Sequence, residues 1–275
     1  IKLAYLYRER LILLVANWMR VGYCQGNFNS DNCAAGGYTL DYGPFGFCEL
    51  FDPKFQPWTG GGEHFSFFNQ PFAAEINFKM FCSSLRPLLL ENNEDIEKLE
   101  QIINDFSKLM RKEMQLMWAK KLGLEKYDET ITNELFNLMV ISKADFTIFF
   151  RRLSHMPDNV TFLKESFYLT PNQELEKRWN IWLTNWKDLI KKNILIKNVS
   201  KSMKQVNPKF TWREWMVVPA YEEAEKGNYS KIKDLQTIFS NPYEEQSLEI
   251  EQNYDRLKPK KFFNNGGVSH YSCSS

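Results

Sequence analysis

The sequence has few of the residues from which proteins build metal clusters and disulfide frameworks. Its 275 residues include three histidines, which are dispersed, and five cysteines. No two cysteines form a CxxC pair, and none has a histidine at the spacing of a zinc ligand, so a zinc site is not predicted. An odd number of cysteines without a framework indicates a reducing compartment or one regulatory thiol. The cysteines are Cys24, Cys33, Cys48, Cys82 and Cys273.

The sequence also lacks a strong charge of either sign and a long apolar run. The formal net charge is +1, which gives no electrostatic bias toward nucleic acid or an anionic membrane. The longest apolar stretch, residues 11–19, lies between Arg10 and Arg20 and is too short to span a bilayer. We therefore predict neither a nucleic-acid partner nor a membrane partner.

The start of the chain shows no leader pattern. The first residue is Ile1, and no charged and apolar leader with a cleavage site follows it. We expect the chain to be the later part of a longer protein, with any targeting segment upstream. Hydrophobic and aromatic residues make up 43% and 15% of the chain, which is enough to build a substantial core.

Apolar residues at helical spacing predict a mainly α-helical chain. A first helix is expected over 3–21 and a buried one over 73–90. Residues 92–122 are expected to form one long amphipathic helix, with Asn92 or Asn93 as its N-cap. Further helices are predicted over 129–142, 144–153, 171–192, 210–226 and 229–239.

Three segments are predicted to lie outside the helices. GGYTLDYG, residues 36–43, predicts a short strand framed by glycines, with Tyr38 and Leu40 on one face. Residues 52–71 form a glycine- and proline-rich loop, of a length that is usually functional or disordered in a compact domain. The polar residues after 246 lack periodicity, so we expect an extended tail.

The stretch NSDNCAAGGYTLDYGPFG, residues 29–46, contains the candidate site residues Asp31, Asn32 and Asp41. Taken singly, its NSDN and DYG segments favour ordinary turns, because short polar side chains bond the local backbone. Together, an Asp and an Asn on one loop and a second Asp at a strand end are typical of the metal-binding half of a kinase-like site. In protein kinases the catalytic Asp and the Asn are several residues apart, so adjacent Asp31 and Asn32 argue against an ordinary protein-kinase loop.

Several blocks around this stretch closely resemble the selenoprotein O (SelO) family of pseudokinase-fold protein adenylyltransferases. The first blocks are GNFNSDN, YTLDYGPFGFCELFDPKF and FFNQPFAAEINF. The likeness continues through WAKKLGL, DFTIFFRRL, NPKFTWREWMVVPAYEEAEKGNYSKIKDL and NPYEEQ to the terminal SCSS. The blocks stand in the family's order and span nearly the whole chain.

The resemblance implies transfer of AMP from ATP to Ser, Thr or Tyr hydroxyls of proteins. Asp31 matches the family's catalytic Asp, which accepts the proton of the attacking hydroxyl. Asn32 and Asp41 match its metal ligands, and Asp41 also lies beside the nucleotide phosphates. The implied cofactor is Mg²⁺ or Mn²⁺ with ATP as co-substrate, and the implied partners are ATP and substrate proteins.

The chain departs from the family pattern in its own residues. Gln25 stands where the family usually has His before the loop glycine; it can hydrogen-bond the backbone but cannot carry charge. His64-Phe65 replaces the usual Arg-Tyr, which puts a phosphate or loop contact in doubt. Pro57 stands where bacterial relatives have a cysteine that pairs with the near-terminal one. Cys273 is therefore either a redox residue or a free thiol, with Cys33 and Cys48 as alternative partners.

The resemblance predicts a protein-kinase-like C-lobe with family-specific helical additions and short β segments around the metal site. Residues 1–91 are expected to form its catalytic-loop and metal-site part, 92–246 its helical remainder, and 247–275 an extended tail with Cys273. The family's Gly-rich loop, ATP-binding Lys and partner Glu precede the matched blocks. We therefore expect the N-lobe to be absent from this chain, and the chain alone to bind ATP poorly.

Three functions stay open at this point. The first is a protein adenylyltransferase, the second a kinase that transfers the γ-phosphate, and the third an inactive fragment that acts as a binding module. Eukaryotic members of the family are mitochondrial and bacterial members are cytosolic. We expect a mitochondrial protein if the source is eukaryotic and a cytoplasmic one if it is bacterial.

Overall fold

The computed structural model describes residues 1–58, 62–89, 92–190 and 196–263, and over these ranges the chain is mainly helical, as predicted. The two strands are β1 (Tyr23–Cys24) and β2 (Gly46–Phe47). The helices are α1 (Lys2–Val21), α2 (Gln70–Leu85), α3 (Asn93–Asn104), α4 (Phe106–Lys121), α5 (Glu129–Ile141), α6 (Phe146–Leu153), α7 (Gln173–Ile190), α8 (Ile196–Val206), α9 (Glu214–Ala224), α10 (Ser230–Ser240) and α11 (Leu248–Tyr254). Of the helices in these ranges, none combines the length and the apolar character needed to cross a membrane.

Helix α1 lies at the centre of the main hydrophobic core. It contacts α2, α3 and α4, and its buried residues include Leu11, Val15 and Met19. It ends at Gly22, whose φ of +79° is the left-handed conformation common at helix C-termini. The predicted helix over 3–21 is thus confirmed, and its end leads directly into β1.

The predicted single helix over 92–122 is wrong, because the chain breaks at Asp105 into α3 and α4. Asn92 is the N-cap of α3, where its side chain accepts a hydrogen bond from the Asp95 amide at 3.2 Å. Both helices contact α1 and α2, and α4 also packs against α8. Gly123 follows α4 with a φ of +66°.

Helices α5, α6 and α7 form the next part of the core, close to their predicted bounds. Three tryptophans of α7 are buried there, and each donates its indole N–H to an oxygen of a neighbouring segment at 2.8–2.9 Å. The donor and acceptor pairs are Trp179 with Ser142 Oγ, Trp182 with the Ile131 carbonyl, and Trp186 with the Leu122 carbonyl. These pairs satisfy polar groups that would otherwise be costly to bury.

A second hydrophobic cluster holds α9, α10 and α11 together. Its buried residues include Phe210, Trp215 and Ile238. The prediction of an extended tail is wrong for residues 248–254, which form α11 behind a Ser247 N-cap. Cys273 lies outside the described residues. The predicted divisions at 91 and 246 stay predictions.

A buried ion pair joins this C-terminal group of helices to the main core. Arg213 Nη1 lies 3.1 Å from Asp145 Oδ2, and neither side chain is exposed to solvent. Asp145 also caps α6, because its Oδ1 accepts a hydrogen bond from the Ile148 amide at 3.0 Å. Tyr168 donates its hydroxyl to Asp145 Oδ2 at 3.1 Å. The carboxylate is therefore bonded on both oxygens.

The predicted strand over 36–43 is wrong. The segment makes a single antiparallel bridge, Cys33 with Thr39. Its Gly37 has a φ of +74°, which interrupts an extended run, and Tyr38 and Leu40 are half exposed rather than packed on one face. The β structure instead flanks the loop, as the β1–β2 pair at its two ends.

Candidate functional site

The candidate site lies on one loop, residues 25–45, whose two ends are held together by β1 and β2. The strands are antiparallel, with Tyr23 opposite Phe47 and Cys24 opposite Gly46. Both ends of the loop are thus fixed to the core at the end of α1. Phe28 anchors the loop itself, because its buried ring packs against Trp18 with ring centroids 5.0 Å apart.

Asp31 and Asn32 lie in a short 3₁₀ helix, Ser30–Asn32. Asn32 donates its side-chain nitrogen to the Asn27 carbonyl at 2.9 Å. Because the Asn27 carbonyl can only accept a hydrogen bond, it is the Asn32 amide nitrogen that faces it, and the Asn32 Oδ1 is left as a free acceptor. The Asp31 side chain is exposed, and in the described part of the chain no group donates a hydrogen bond to it. An exposed, unbonded carboxylate is available to a substrate hydroxyl.

Asp41 is held by its backbone and by one of its carboxylate oxygens. Its Oδ1 accepts a hydrogen bond from the Gly43 amide at 2.9 Å, and its carbonyl accepts one from Gln25 Nε2 at 2.8 Å. Within the described ranges, Oδ2 has no hydrogen-bond partner. Asp41 therefore has a fixed backbone and one free oxygen.

The bridge between Cys33 and Thr39 brings the two halves of the loop together. Trp18 supports it from α1 by donating its indole N–H to Thr39 Oγ1 at 2.9 Å. Since bridge partners lie about 5 Å apart and consecutive Cα atoms 3.8 Å apart, the Cα atoms of Asn32 and Asp41 are separated by at most about 17 Å. The bridge thus confines both residues to one region of the surface.

Two buried glutamines form the support of this loop. The Gln25 Oε1 accepts the Tyr23 hydroxyl at 2.5 Å, and the Gln25 amide donates to Gln70 Oε1 at 3.0 Å. Gln70, the first residue of α2, donates its side-chain nitrogen to the Tyr23 carbonyl at 2.9 Å and to the Phe67 carbonyl at 3.2 Å. Burial raises the pKa of Tyr23 well above its ordinary value, so its hydroxyl remains a donor.

The expectation that Gln25 bonds the backbone is confirmed by its contact with the Asp41 carbonyl. Sequence reasoning did not single out Gln70, although it stands inside the FFNQPF block. Its position directly before Pro71, at a predicted helix start, was the available signal. What the sequence does not display is that this side chain reaches Gln25, which is 45 residues away.

Glycine is required where the loop closes on itself. Gly26 has a φ of +71°, and a Cβ at this position would lie 1.8 Å from the Pro44 carbonyl oxygen and 3.0 Å from Pro57. A Cβ on Gly46 would also lie 3.0 Å from Pro57. Pro57 thus packs against the base of the loop, at the place where the resemblance would put a disulfide cysteine.

His64, Cys33 and Cys48, which the sequence analysis also named, do not add a catalytic or metal-binding group to Asp31, Asn32 and Asp41. The His64 ring lies against Phe65, with ring centroids 4.1 Å apart. Burial raises the pKa of Cys33 to about 11 and that of Cys48 still further, so both are protonated thiols at neutral pH. Cys33 also accepts the Tyr7 hydroxyl at 2.9 Å.

A divalent metal is the group that the resemblance implies for this site. Across the described ranges, no three His, Cys, Asp or Glu side chains converge on a metal position. Asn32 and Asp41 would offer one amide and one carboxylate oxygen. This set fits Mg²⁺, which usually takes one or two protein oxygens and completes its shell with water and nucleotide phosphates. The donor chemistry therefore fits a metal that arrives with a nucleotide.

A cavity of about 400 Å³ lies beyond β2, and no residue of the 25–45 loop lines it. Its charged lining includes Glu49, Asp52, Glu214 and Lys258. Burial raises the pKa of Glu49 to about 7 against the opposing charges of Arg213 and Lys258, and the Lys258 ammonium lies 3.9 Å from its Oε1. The cavity is thus separate from Asp31, Asn32 and Asp41.

Comparison with known proteins finds relatives that are named nucleotidyltransferases. A relative from Aromatoleum aromaticum that is named protein nucleotidyltransferase YdiU is 31% identical over 277 residues, covering 97% of this chain and 52% of the relative. Relatives of the same name from Tolumonas auensis and Brevibacillus brevis are 32% and 33% identical, covering 95% and 86% of this chain and 51% and 47% of the relatives. The chain spans about half the length of the curated relatives it matches.

The family follows from a second comparison. The family model described as protein adenylyltransferase SelO matches residues 5–240. The chain belongs to this family, as the sequence blocks around Asp31 and Asp41 predicted. The match includes the whole 25–45 loop, both glutamines that support it, and all of α1 to α10 except the first three residues of α1.

Proposed function

We propose that this chain supplies the metal-binding and proton-accepting part of a protein adenylyltransferase. The reaction is transfer of AMP from ATP to Ser, Thr or Tyr hydroxyls of substrate proteins, on a protein-kinase-like C-lobe. The family match over residues 5–240 supports this proposal, as does the shared name of the relatives. The observation that carries it is that the matched residues Asp31, Asn32 and Asp41 keep unused acceptor oxygens on one braced loop.

Asp31 is the proposed general base. Its carboxylate is exposed and unbonded among the described groups, so it can accept the proton of an incoming hydroxyl without first breaking an internal bond. A positioned general base contributes about 10²–10⁴ to a rate. The 3₁₀ helix that begins at Ser30 fixes its backbone.

Asn32 and Asp41 are the proposed ligands of Mg²⁺ or Mn²⁺. The bond from Asn32 to the Asn27 carbonyl and the bond from Gly43 to Asp41 each hold one side-chain atom and leave one oxygen free. A bound divalent ion would neutralise charge on the nucleotide phosphates. Gln25 holds the Asp41 backbone, so it acts through Asp41 as a positioning residue.

The location and the redox chemistry of the protein are also part of this proposal. The proposed location is the cytoplasm if the source is a bacterium and the mitochondrion if it is a eukaryote. Cys273 is the proposed redox residue. Because Pro57 packs against Gly26 and Gly46, a thiol partner for Cys273 would have to be another cysteine of the protein.

The proposal is tested with the longer protein that contains this chain, incubated in parallel with ATP labelled at the α-phosphate and at the γ-phosphate. Label transferred to protein from the α form alone supports AMP transfer. Label from the γ form alone contradicts it and favours a kinase. Label from neither form favours a binding module.

Site variants connect this reaction to the loop. Asp41→Asn should abolish transfer of α-label, because Asp41 is a proposed metal ligand. The matched control is Asp95→Asn on α3, which makes the same chemical change at a side chain that pairs with Lys98 at 3.8 Å. Full transfer by the Asp41 variant would contradict the assignment.

A further inference from the structure

A cavity of about 360 Å³ lies within the C-terminal group of helices, and no residue of the 25–45 loop lines it. It is lined by α9, the start of α10, the end of α11 and the residues that follow α11. The lining residues that carry the argument are Trp215, Ser230, Lys231, Tyr254, Arg256 and Lys261. Its volume is near the lower end of the range for small-molecule sites.

Trp215 leaves a buried hydrogen-bond donor without a partner. The side chain is 5% exposed, and its Nε1 has no acceptor in the described part of the protein. The three buried tryptophans of α7, in contrast, each donate to a protein oxygen. Because an unsatisfied buried donor is costly, the indole N–H of Trp215 indicates an acceptor that the described residues do not provide.

The N-terminus of α10 adds more donors on the same cavity. Helix α10 has 11 residues, and its N-cap Tyr229 makes no side-chain capping bond. The Ser230 amide donates to Asn228 Oδ1 at 3.1 Å, and the Lys233 amide donates to the Tyr229 carbonyl. The amides of Lys231 and the next residue have no acceptor within the described ranges. Free amides at a helix N-terminus favour an anion.

The charged side chains of the cavity are mostly cationic. Arg256 Cζ lies 5.6 Å from the Trp215 ring centroid, and Lys261 Nζ lies 4.9 Å from that of Phe262. In the described ranges neither cation forms an ion pair with a carboxylate, whereas Lys231 pairs with Glu223. Asp234 is the one carboxylate of the lining.

We propose that this cavity binds a small organic phosphate, of the size of a nucleoside monophosphate. These donors line one cavity, and a phosphate group accepts hydrogen bonds and carries the negative charge that matches them. The aromatic residues Trp215, Tyr254 and Phe262 offer apolar walls for the organic part of the ligand. This site is independent of AMP transfer at the 25–45 loop.

The test is isothermal titration calorimetry of the full chain with AMP, ribose 5-phosphate and inorganic phosphate. The titrations are repeated in the Asp41→Asn variant, so that binding at the 25–45 loop is distinguished from binding at the cavity. We expect AMP and ribose 5-phosphate to bind with a stoichiometry of one per chain, and with the same affinity in the Asp41→Asn variant as in the wild type. Inorganic phosphate should bind at least tenfold more weakly. Binding of inorganic phosphate as tight as that of AMP, or no binding at all, would overturn the proposal.

Single substitutions assign the binding to the cavity. Arg256→Gln and Lys261→Gln should each weaken AMP binding about tenfold, since each removes a charge-assisted hydrogen bond. Asp234→Asn should tighten it, because it removes the one opposing charge. Lys260→Gln is the matched control. It removes the same charge at a position that does not line the cavity, so the affinity for AMP should stay the same.

Both cations that are replaced are exposed, so their variants should fold, and circular dichroism verifies this. Trp215→Phe should weaken binding as well, since it keeps a ring and removes the N–H donor. An equal effect of the Lys260 and Lys261 variants would contradict the proposal, because it would show a diffuse charge effect and not a site. Weaker binding by the Asp234 variant would contradict it too.

Discussion

Replacing Gln25 with leucine would remove the side chain that connects Tyr23 of β1 to the Asp41 segment. Leucine has nearly the same volume but no polar group, so the Tyr23 hydroxyl loses its acceptor and the Asp41 carbonyl loses its donor. The Gln25 amide keeps its bond to Gln70, because that bond uses the backbone. The substitution therefore tests two side-chain bonds and leaves the rest of the network in place.

The expected loss of stability follows from the burial of these groups. Tyr23 is 5% exposed, and leaving a buried polar group unpaired costs about 1–3 kcal/mol. The Asp41 carbonyl belongs to a half-buried residue, so water replaces its donor and the cost is under about 1 kcal/mol. We expect Gln25→Leu to lower the free energy of unfolding by about 1–4 kcal/mol, measured by urea denaturation with an unchanged m-value.

Gln56→Leu is the matched control. Gln56 donates its side-chain nitrogen to the carbonyls of Gly26 and Gly62 at 3.2 and 3.3 Å. Because Gln56 is half-buried and not fully buried as Gln25 is, water replaces these bonds and the loss stays below about 1 kcal/mol. In the longer protein, Gln25→Leu should also lower the rate of AMP transfer, because Asp41 loses its anchor. Equal stability of the two variants would refute the buried-network account.

Three further predictions concern stability. Folding raises the pKa of Glu49 from its ordinary value to about 7, so the folded protein holds a proton that the unfolded chain has lost, and its stability should fall by up to about 3 kcal/mol as the pH rises from 4.5 to above 7. Urea denaturation at several pH values should show that Glu49→Gln removes this loss. A variant whose stability depends on pH as the wild type's does would contradict the prediction. Arg213→Met should lower the free energy of unfolding by about 3–5 kcal/mol, because it leaves the buried Asp145 carboxylate without its ion-pair partner. Adding Asp145→Asn should recover part of this stability, and a double variant less stable than the single one would argue against the account. Gly26→Ala should lower the melting temperature far more than Gly227→Ala, since both have a positive φ but a Cβ collides with backbone only at Gly26; equal losses would show that the collision is unimportant.

The helices of this protein could be predicted from the sequence because they rest on a local signal. Apolar residues three and four apart mark α1, α5 and α7 within a few residues of their bounds. The break at Asp105 could not be predicted, since it depends on how the two helices pack in the assembled core, where α4 also contacts α8. Helix α11 was missed because its seven residues carry little periodicity.

The candidate site was predicted in part. The residue types of Asp31, Asn32 and Asp41, together with the family blocks, indicated the chemistry, and the family is confirmed by the match over residues 5–240. The support of the loop could not be predicted, because the bond between Gln25 and Gln70 joins segments that are far apart in sequence. That the Trp215 indole has no acceptor among the described residues is likewise visible only when the helices are assembled.

The central claim is that Asp31 acts as the base while Asn32 and Asp41 hold the metal and its nucleotide. The most direct measurement is the AMP-transfer rate and the Mn²⁺–ATP affinity of the Asp31→Asn and Asp41→Asn variants of the longer protein, with Ser30→Ala as the control. We predict that the Asp31 variant keeps its ATP affinity and loses about 10²–10⁴ in rate, that the Asp41 variant loses both, and that the control keeps both. Wild-type transfer by the Asp41 variant, or loss of ATP affinity by the Asp31 variant alone, would contradict the account.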